Sequence, residues 1–190
     1  MTYVLSDIHG EILRWREMLE LIQFSDEDTL YCLGDVIDRN PHGIEILQDI
    51  MRRPNVKFIV GNHEDLILNA FWGRNDYDAR RLWTGNGGGN TYRTMVYKIS
   101  TEERLRILRF VQESPDFMEI EVNGQEFYLV HGMASMTGSP GSGIGQSRHP
   151  KHPPSQERRL SVAIHVRSGL ISTSKVMTKQ NLMRSSTHLV

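Results

Sequence analysis

Short apolar runs alternate with stretches of helical spacing over the first two thirds of the chain, and this alternation predicts the elements. Tyr3-Val4-Leu5, bounded by Ser6-Asp7, reads as a buried strand. Ile12, Trp15, Leu19 and Ile22 fall at helical spacing. Thr29 to Leu33 is the next strand, stopped by Gly34. Pro41 suits a first helical position, with Ile44, Leu47, Ile50 and Met51 along one face of the helix that follows. Val56 to Val60 is a third strand, again stopped by a glycine, and Glu64 to Phe71 continues as helix. Strand–helix–strand units at intervals of about 30 residues imply a parallel sheet with right-handed crossovers.

The pattern then loosens. Gly85-Asn86-Gly87-Gly88-Gly89 reads as a turn or loop. Thr101, followed by Glu103 and Arg104, opens a helix carrying Leu105, Leu108 and Val111, which Pro115 stops. Phe117–Val122 and Gln125–Val130 flank Asn123-Gly124, a strong hairpin signal. The expected body is α/β with an antiparallel hairpin late in the chain. Trp15 and Trp72 are expected to pack in the core or between helices, and Trp83 sits in a loop that could border a site.

Composition changes this picture at one place. The chain has 190 residues and a net charge of −1. Residues 1–132 hold 14 basic and 22 acidic side chains, whereas residues 133–190 hold 8 basic ones and Glu157 as the single acid. All 15 aromatic residues precede Gly132. A segment with net charge and no aromatic anchors buries little apolar surface against its chain entropy. The reading is therefore a folded domain over 1–132 and a basic, poorly ordered tail over 133–190. One cysteine, Cys32, excludes an internal disulfide and a cysteine-based zinc cluster, and points to a reducing, cytoplasmic setting. No leader and no apolar run of about 18 residues is present, so no membrane association is expected. Arg52-Arg53 and Arg80-Arg81 are solvated pairs rather than a nucleic-acid stripe.

The chemistry stands at the strand ends. The first strand ends in Ser6-Asp7-Ile8-His9-Gly10, the second in Gly34-Asp35-Val36-Ile37-Asp38-Arg39, the third in Gly61-Asn62-His63-Glu64, and the last in His131-Gly132. In open α/β sheets, ligands sit beyond the carboxyl ends of the strands. Asp7, His9, Asp35, Asn62, His63 and His131 are thus directed to one edge. Oxygen and imidazole donors without thiolate suit Mn²⁺, Fe or Zn²⁺ better than Ca²⁺ or a structural zinc. Each motif alone has a plainer reading: Asp35 and Asp38 as helix caps, Asn62-His63 as a loop hydrogen-bonder. Their order, each directly after an apolar run and 28 and 27 residues apart from Asp7 to Asp35 to Asn62, favours a single site.

This series resembles the calcineurin-like metallophosphoesterase superfamily. Within it, the chain is similar to small bacterial serine/threonine protein phosphatases and symmetrical diadenosine tetraphosphate hydrolases, whose tryptophan-plus-Asn-Gly-Gly signature Trp83-Thr84-Gly85-Asn86-Gly87-Gly88 resembles. The resemblance covers roughly residues 1–135. It implies a β-sandwich flanked by helices (α/β/β/α), incomplete at its C-terminal end. It further implies two divalent metal ions, foremost Mn²⁺, with Asp7 and His9 on the first, Asp35 bridging, and Asn62 and His131 on the second. Arg39 would grip phosphoryl oxygens, His63 would protonate the leaving oxygen, Asp38 would hold the His63 ring, and Glu64 would support the ligands from behind. The implied activity is hydrolysis of phosphomonoesters by in-line attack of a metal-bridging hydroxide, foremost on phosphorylated proteins. The alternatives are dinucleoside polyphosphate hydrolysis, or a catalytically impaired fragment that acts as a binding module.

Two features depart from the family pattern. Asn40 follows the Asp-Arg pair where glycine is usual, and is expected to tolerate a left-handed backbone. A further histidine for the second metal, from a Gly-His segment after a strand, has no counterpart among His149, His152, His165 and His188; His165, in Val162-Ala163-Ile164-His165, is the nearest approach. Composition, charge, aromatic content and motif continuity all change beside His131-Gly132, which is the pattern a shift of reading frame would leave. Cys32 is expected to be a buried strand residue, and His42 a solvated one.

Overall fold

A computed structural model describes residues 1–73, 76–132 and 171–172. Three parallel strands, β1 (Thr2–Leu5), β2 (Thr29–Cys32) and β3 (Val56–Phe58), lie in the order β3-β2-β1. The short strand β6 (Ile171–Ser172) runs antiparallel to β1, pairing with Val4 and Tyr3. Strands β4 (Phe117–Val122) and β5 (Gln125–Val130) form a separate antiparallel hairpin. Its turn residues Asn123 and Gly124 both take positive φ, 54° and 77°, which matches the twist of the flanking strands. The expectation of a poorly ordered tail falls, apart from Ile171–Ser172, on residues outside those described.

Alternation along the parallel strands divides their side chains between two cores. Tyr3, Leu30, Cys32, Val56 and Phe58 face one side. There they meet Ile12 and Trp15 of α1 (Ile12–Leu21), Ile44, Leu47 and Ile50 of α2 (Gly43–Arg52), and Leu66 and Ile67 of α3 (Asn62–Trp72). Val4, Leu33 and Ile59 face the other side and are covered by Phe127 and Leu129 of the hairpin. The period of two thus assigns neighbouring residues to opposite layers, as the pleat requires. Among the described residues the layers are helices, sheet and hairpin; a helical layer outside the hairpin is not among them.

Several boundaries differ from the sequence reading. Helix α2 starts at Gly43, not Pro41, because Asn40 is still tied back by its N–H to the carbonyls of His9 and Asp38. Helix α3 starts at Asn62, so Asn62 and His63 stand in its first turn. Strand β3 ends at Phe58: the N–H of Ile59 still donates to Cys32, but that of Val60 turns to Pro115. Residues 84–88 turn the chain between α4 (Asp76–Trp83) and α5 (Gly89–Arg93), as read from the sequence: Asn86 (φ −88°, ψ 16°) and Gly87 (φ +98°, ψ 5°) leave helical geometry and kink the two helices apart. A π turn, Thr94–Lys98, leads to α6 (Thr101–Glu113), whose Ser100 hydroxyl caps the N–H of Glu103. On α6 the buried positions are Ile107, Leu108 and Val111, while Leu105 faces outward; Trp72, at the end of α3, is also exposed. Cys32 is buried as expected, and burial pushes its thiol up.

Ile59 is fully buried between sheet and hairpin. Ile59→Ala is expected to cost about 2–5 kcal/mol in urea unfolding, whereas Leu105→Ala on the exposed face is expected to stay within about 0.5 kcal/mol.

Candidate metal centre

The loops after β1 and β2 run side by side beyond the sheet. The N–H groups of Asp7, His9 and Gly10 donate to the carbonyls of Gly34, Asp35 and Val36, so the two loops extend the strand pairing in irregular form. The backbone there is strained. Asp7, His9, Asp35, Asp38 and Arg39 all take positive φ, between 46° and 70°. Such conformations cost non-glycine residues of the order of 1 kcal/mol or more each and persist where surrounding contacts over-determine them.

Glu64 supplies much of that determination. It is fully buried, and its Oε2 accepts from the N–H groups of Asp35 (2.8 Å) and Gly61 (3.0 Å). Its Oε1 accepts from those of Val36 (2.9 Å) and Ile37 (3.3 Å). Burial, followed by the nearby Asp35 charge, pushes the Glu64 carboxyl up to about 7 against these donors. Gly61 has to be glycine for this approach: a Cβ there would lie 2.4 Å from Asp35 Oδ1 and 2.8 Å from Glu64 Oε2.

Asp35 is the centre of the cluster. Its Oδ2 lies 3.7 Å from His9 Nε2 and 4.0 Å from His63 Nε2, and its Oδ1 lies 3.3 Å from His131 Nε2. Asp7 Oδ1 is 3.8 Å from His9 Nε2, and Asn62 Oδ1 is 3.1 Å from His131 Nε2. Two triads, His9–Asp35–His63 and Asp7–Asp35–His131, each bring their donor atoms within 4.8 Å of one another and share Asp35. The structure thus brings together Asp7, His9, Asp35, Asn62, His63 and His131, from four strand ends.

The electrostatics fit a cation. His9 donates from Nδ1 to the Ile37 carbonyl (3.1 Å), which leaves Nε2 as the other ring nitrogen, and burial holds its pKa below the ordinary value. That Nε2 is buried, has no hydrogen-bond partner among the described residues, and faces two carboxylates. A lone pair pointed at anions is unfavourable unless a cation sits between them. Burial would raise the Asp35 carboxyl, but the His131 hydrogen bond and charge outweigh it and leave it lowered. His131 shows the reciprocal effect. Burial opposes its charge, yet the Asp35 hydrogen bond and carboxylate push it up to about 9.

His63 and Asp38 form a buried pair, Nδ1 to Oδ2, at 2.7 Å. Burial lowers the His63 pKa, and the Asp38 hydrogen bond with the Asp35 and Asp38 charges more than offsets this, leaving it raised. Arg39 is exposed beside them. Asn40 is not left-handed; the positive φ angles fall on Asp38 and Arg39, and the Asn40 amide instead donates to the His9 carbonyl and Glu11. His42 lies apart from the cluster, exposed and paired with Glu45. The tail histidines lie outside the described residues.

Sequence reasoning missed several supporting groups. The Ser6 hydroxyl donates to Asp7 Oδ2 (2.6 Å). Trp83 is fully buried, and its indole N–H donates to Asp38 Oδ2 (2.8 Å). The N–H of Asp38 donates to Thr91 Oγ1 (3.1 Å). Only the Trp-Asn-Gly-Gly signature hinted at this, and nothing in its spacing shows which strand end it meets.

Strand ends carrying carboxylate, amide and imidazole donors around one shared aspartate form a candidate metal site of the metallophosphoesterase kind. The chain belongs to the calcineurin-like phosphoesterase family, whose profile matches residues 2–172. It is 29% identical over 130 residues to serine/threonine-protein phosphatase 2 of Salmonella typhimurium, covering 68% of this chain and 56% of that protein. It is 27% identical over 115 residues to a symmetrical bis(5'-nucleosyl)-tetraphosphatase of Coxiella burnetii, covering 60% of this chain and 36% of that protein. The chain therefore spans about half the length, or less, of these curated relatives. A crystal structure of a metallophosphoesterase from Sphaerobacter thermophilus aligns at TM-score 0.47 and 19% identity, covering 69% of this chain and 46% of that one.

Glu64→Gln replaces one of the two accepting oxygens with an NH₂ group that opposes the backbone donors. Leaving buried donors unpaired is expected to cost about 1–3 kcal/mol in urea unfolding of the metal-free protein; an unchanged midpoint would remove Glu64 from this role.

Proposed function

We propose that the chain hydrolyses phosphomonoesters with two divalent cations, foremost Mn²⁺, in a cytoplasmic setting. The observation that carries the reading is the shared Asp35 carboxylate, flanked by three imidazoles, one of which has a buried Nε2 without a hydrogen-bond partner among the described residues. Asp7 and His9 would hold one cation, Asn62 and His131 the other, and Asp35 both. A carboxylate between two dications offsets their repulsion. When bound, the cations supply the Lewis acidity that activates water and neutralises charge developing on the phosphoryl group.

The remaining steps belong to this chain's own residues. Arg39 presents a planar fork that matches two phosphoryl oxygens. His63 delivers a proton from Nε2 to the leaving oxygen while Asp38 keeps the other proton on Nδ1. The strained loops hold these groups in place before substrate arrives, so little reorganisation remains for the reaction itself.

A phosphorylated serine or threonine side chain is the substrate that this reading favours, in keeping with similarity to a protein of that named activity. Similarity to a dinucleoside tetraphosphatase supports the second reading, dinucleoside polyphosphates. Turnover of a phosphopeptide against diadenosine tetraphosphate by Mn²⁺-saturated protein separates the two. Failure on both, at full metal occupancy, would leave a binding module and end the enzymatic reading. In the same titration, Asp35→Ala is expected to bind less Mn²⁺ than the parent chain, and full occupancy would refute bridging.

His63→Asn is expected to keep metal binding and to lose about 10²–10⁴-fold in turnover of alkyl phosphates. The loss should shrink for an activated aryl phosphate, whose leaving group needs no proton. Equal losses on the two substrates would contradict the proton-donor role.

A further inference from the structure

The Asp38–His63 pair has a third member. Asp38 Oδ2 accepts from His63 Nδ1 at 2.7 Å and from Trp83 Nε1 at 2.8 Å. Oδ1 of the same carboxylate is buried and has no partner among the described residues. Nothing on the Oδ1 side therefore fixes the plane of the carboxylate, and the indole N–H is the second point that defines it. Both Trp83 and Asp38 are fully buried, so no bulk water competes for the bond.

The chain around Trp83 is shaped for this contact. Gly88 lies against the indole, where a Cβ would come within 2.3 Å of Nε1 and 2.5 Å of Cδ1. The Gly87 carbonyl accepts from the N–H of Arg39 (2.9 Å), the Thr91 hydroxyl accepts from that of Asp38 (3.1 Å), and the Asn90 amide donates to the Arg39 carbonyl (3.1 Å). Phe71 and Tyr92 meet the Trp83 ring edge-on, at centroid distances of 6.0 and 6.1 Å. The segment 83–91 thus grips Asp38 and Arg39, two left-handed residues, from outside the sheet.

We propose that Trp83 is a positioning residue for proton delivery: its indole N–H, seated against Gly88, fixes the Asp38 carboxylate so that the His63 ring keeps Nδ1 protonated and Nε2 directed at the reacting phosphate. This rests on the proton-donor role of His63 proposed above. Asp38 Oδ2 at 2.7 Å accepts from His63 Nδ1, and rotation of the carboxylate would turn the ring with it. Without the indole N–H, Oδ1 and Oδ2 become near-equivalent acceptors for His63 and the ring orientation loosens.

Trp83→Phe removes the N–H and keeps most of the buried ring. It is expected to lower kcat for an alkyl phosphate by about 10- to 100-fold, with KM unchanged and a smaller loss on an aryl phosphate. Gly88→Ala, which displaces the indole without removing it, should do the same, and Trp72→Phe on the exposed end of α3 should not. On a His63→Asn background, Trp83→Phe should cost nothing further. A readout free of activity is the downfield ring N–H resonance of His63 in the Mg²⁺ form, identified by its absence in His63→Asn; it should move or broaden in Trp83→Phe. An unmoved resonance, or equal losses from Trp83→Phe on both backgrounds, would overturn the positioning role while leaving the role of His63 intact. If His63→Asn alone cost nothing, the proton-donor reading would fall, and this proposal with it.

Discussion

The arrangement of this site depends on one buried carboxylate, that of Glu64. Glu64 accepts four backbone N–H groups, three of them successive in the loop after β2 and the fourth at the start of α3. Those donors have no sheet partner, because the loop has left the strand and turned left-handed at Asp35. Unpaired in the interior, they would cost more than the fold could spare. One side chain pairs them and at the same time fastens the loop carrying Asp35 to the helix carrying Asn62 and His63. Asp35 adds a second tie by accepting from the His63 N–H at 3.1 Å. The strain in the strand-end loops and the satisfaction of their backbone are two sides of the same contact.

The two cores then act as a jig. Helices hold one face of the sheet and the hairpin holds the other, and the hairpin brings His131 across the end of β2, where its Nδ1 meets the Leu33 carbonyl. This contact spans 98 residues of sequence. It puts His131 opposite His9 with Asp35 between them, an arrangement no local preference could specify. Segment 83–91 closes a further side by holding Asp38 and Arg39 through backbone and indole contacts, so the proposed proton donor and the proposed phosphate fork share one support.

Much of this was legible in advance. The short apolar runs located β1, β2 and β3, the Asn-Gly turn located the hairpin, and the residue types at the strand ends pointed to a candidate cation site without thiolates. What misled was local. Pro41 suits a helix start, but tertiary ties at Asn40 delay it to Gly43. The tolerance of Asn40 for a left-handed backbone is not called on: Asp38 and Arg39 take the positive φ, and the Asn40 amide holds the His9 carbonyl.

The sequence by itself determined which residues stand at the strand ends and therefore which donors meet, since strand polarity and the ends of apolar runs are local properties. Tertiary structure alone decided which donor faces which. It set His9 Nε2 between two carboxylates, made Glu64 the anchor of a loop about 30 residues away, and set the Trp83 indole on the carboxylate that holds His63. Those relations depend on distances between elements that touch only after the sheet has closed on its helices and its hairpin, and on side-chain rotamers that packing selects. No periodicity along a chain encodes them.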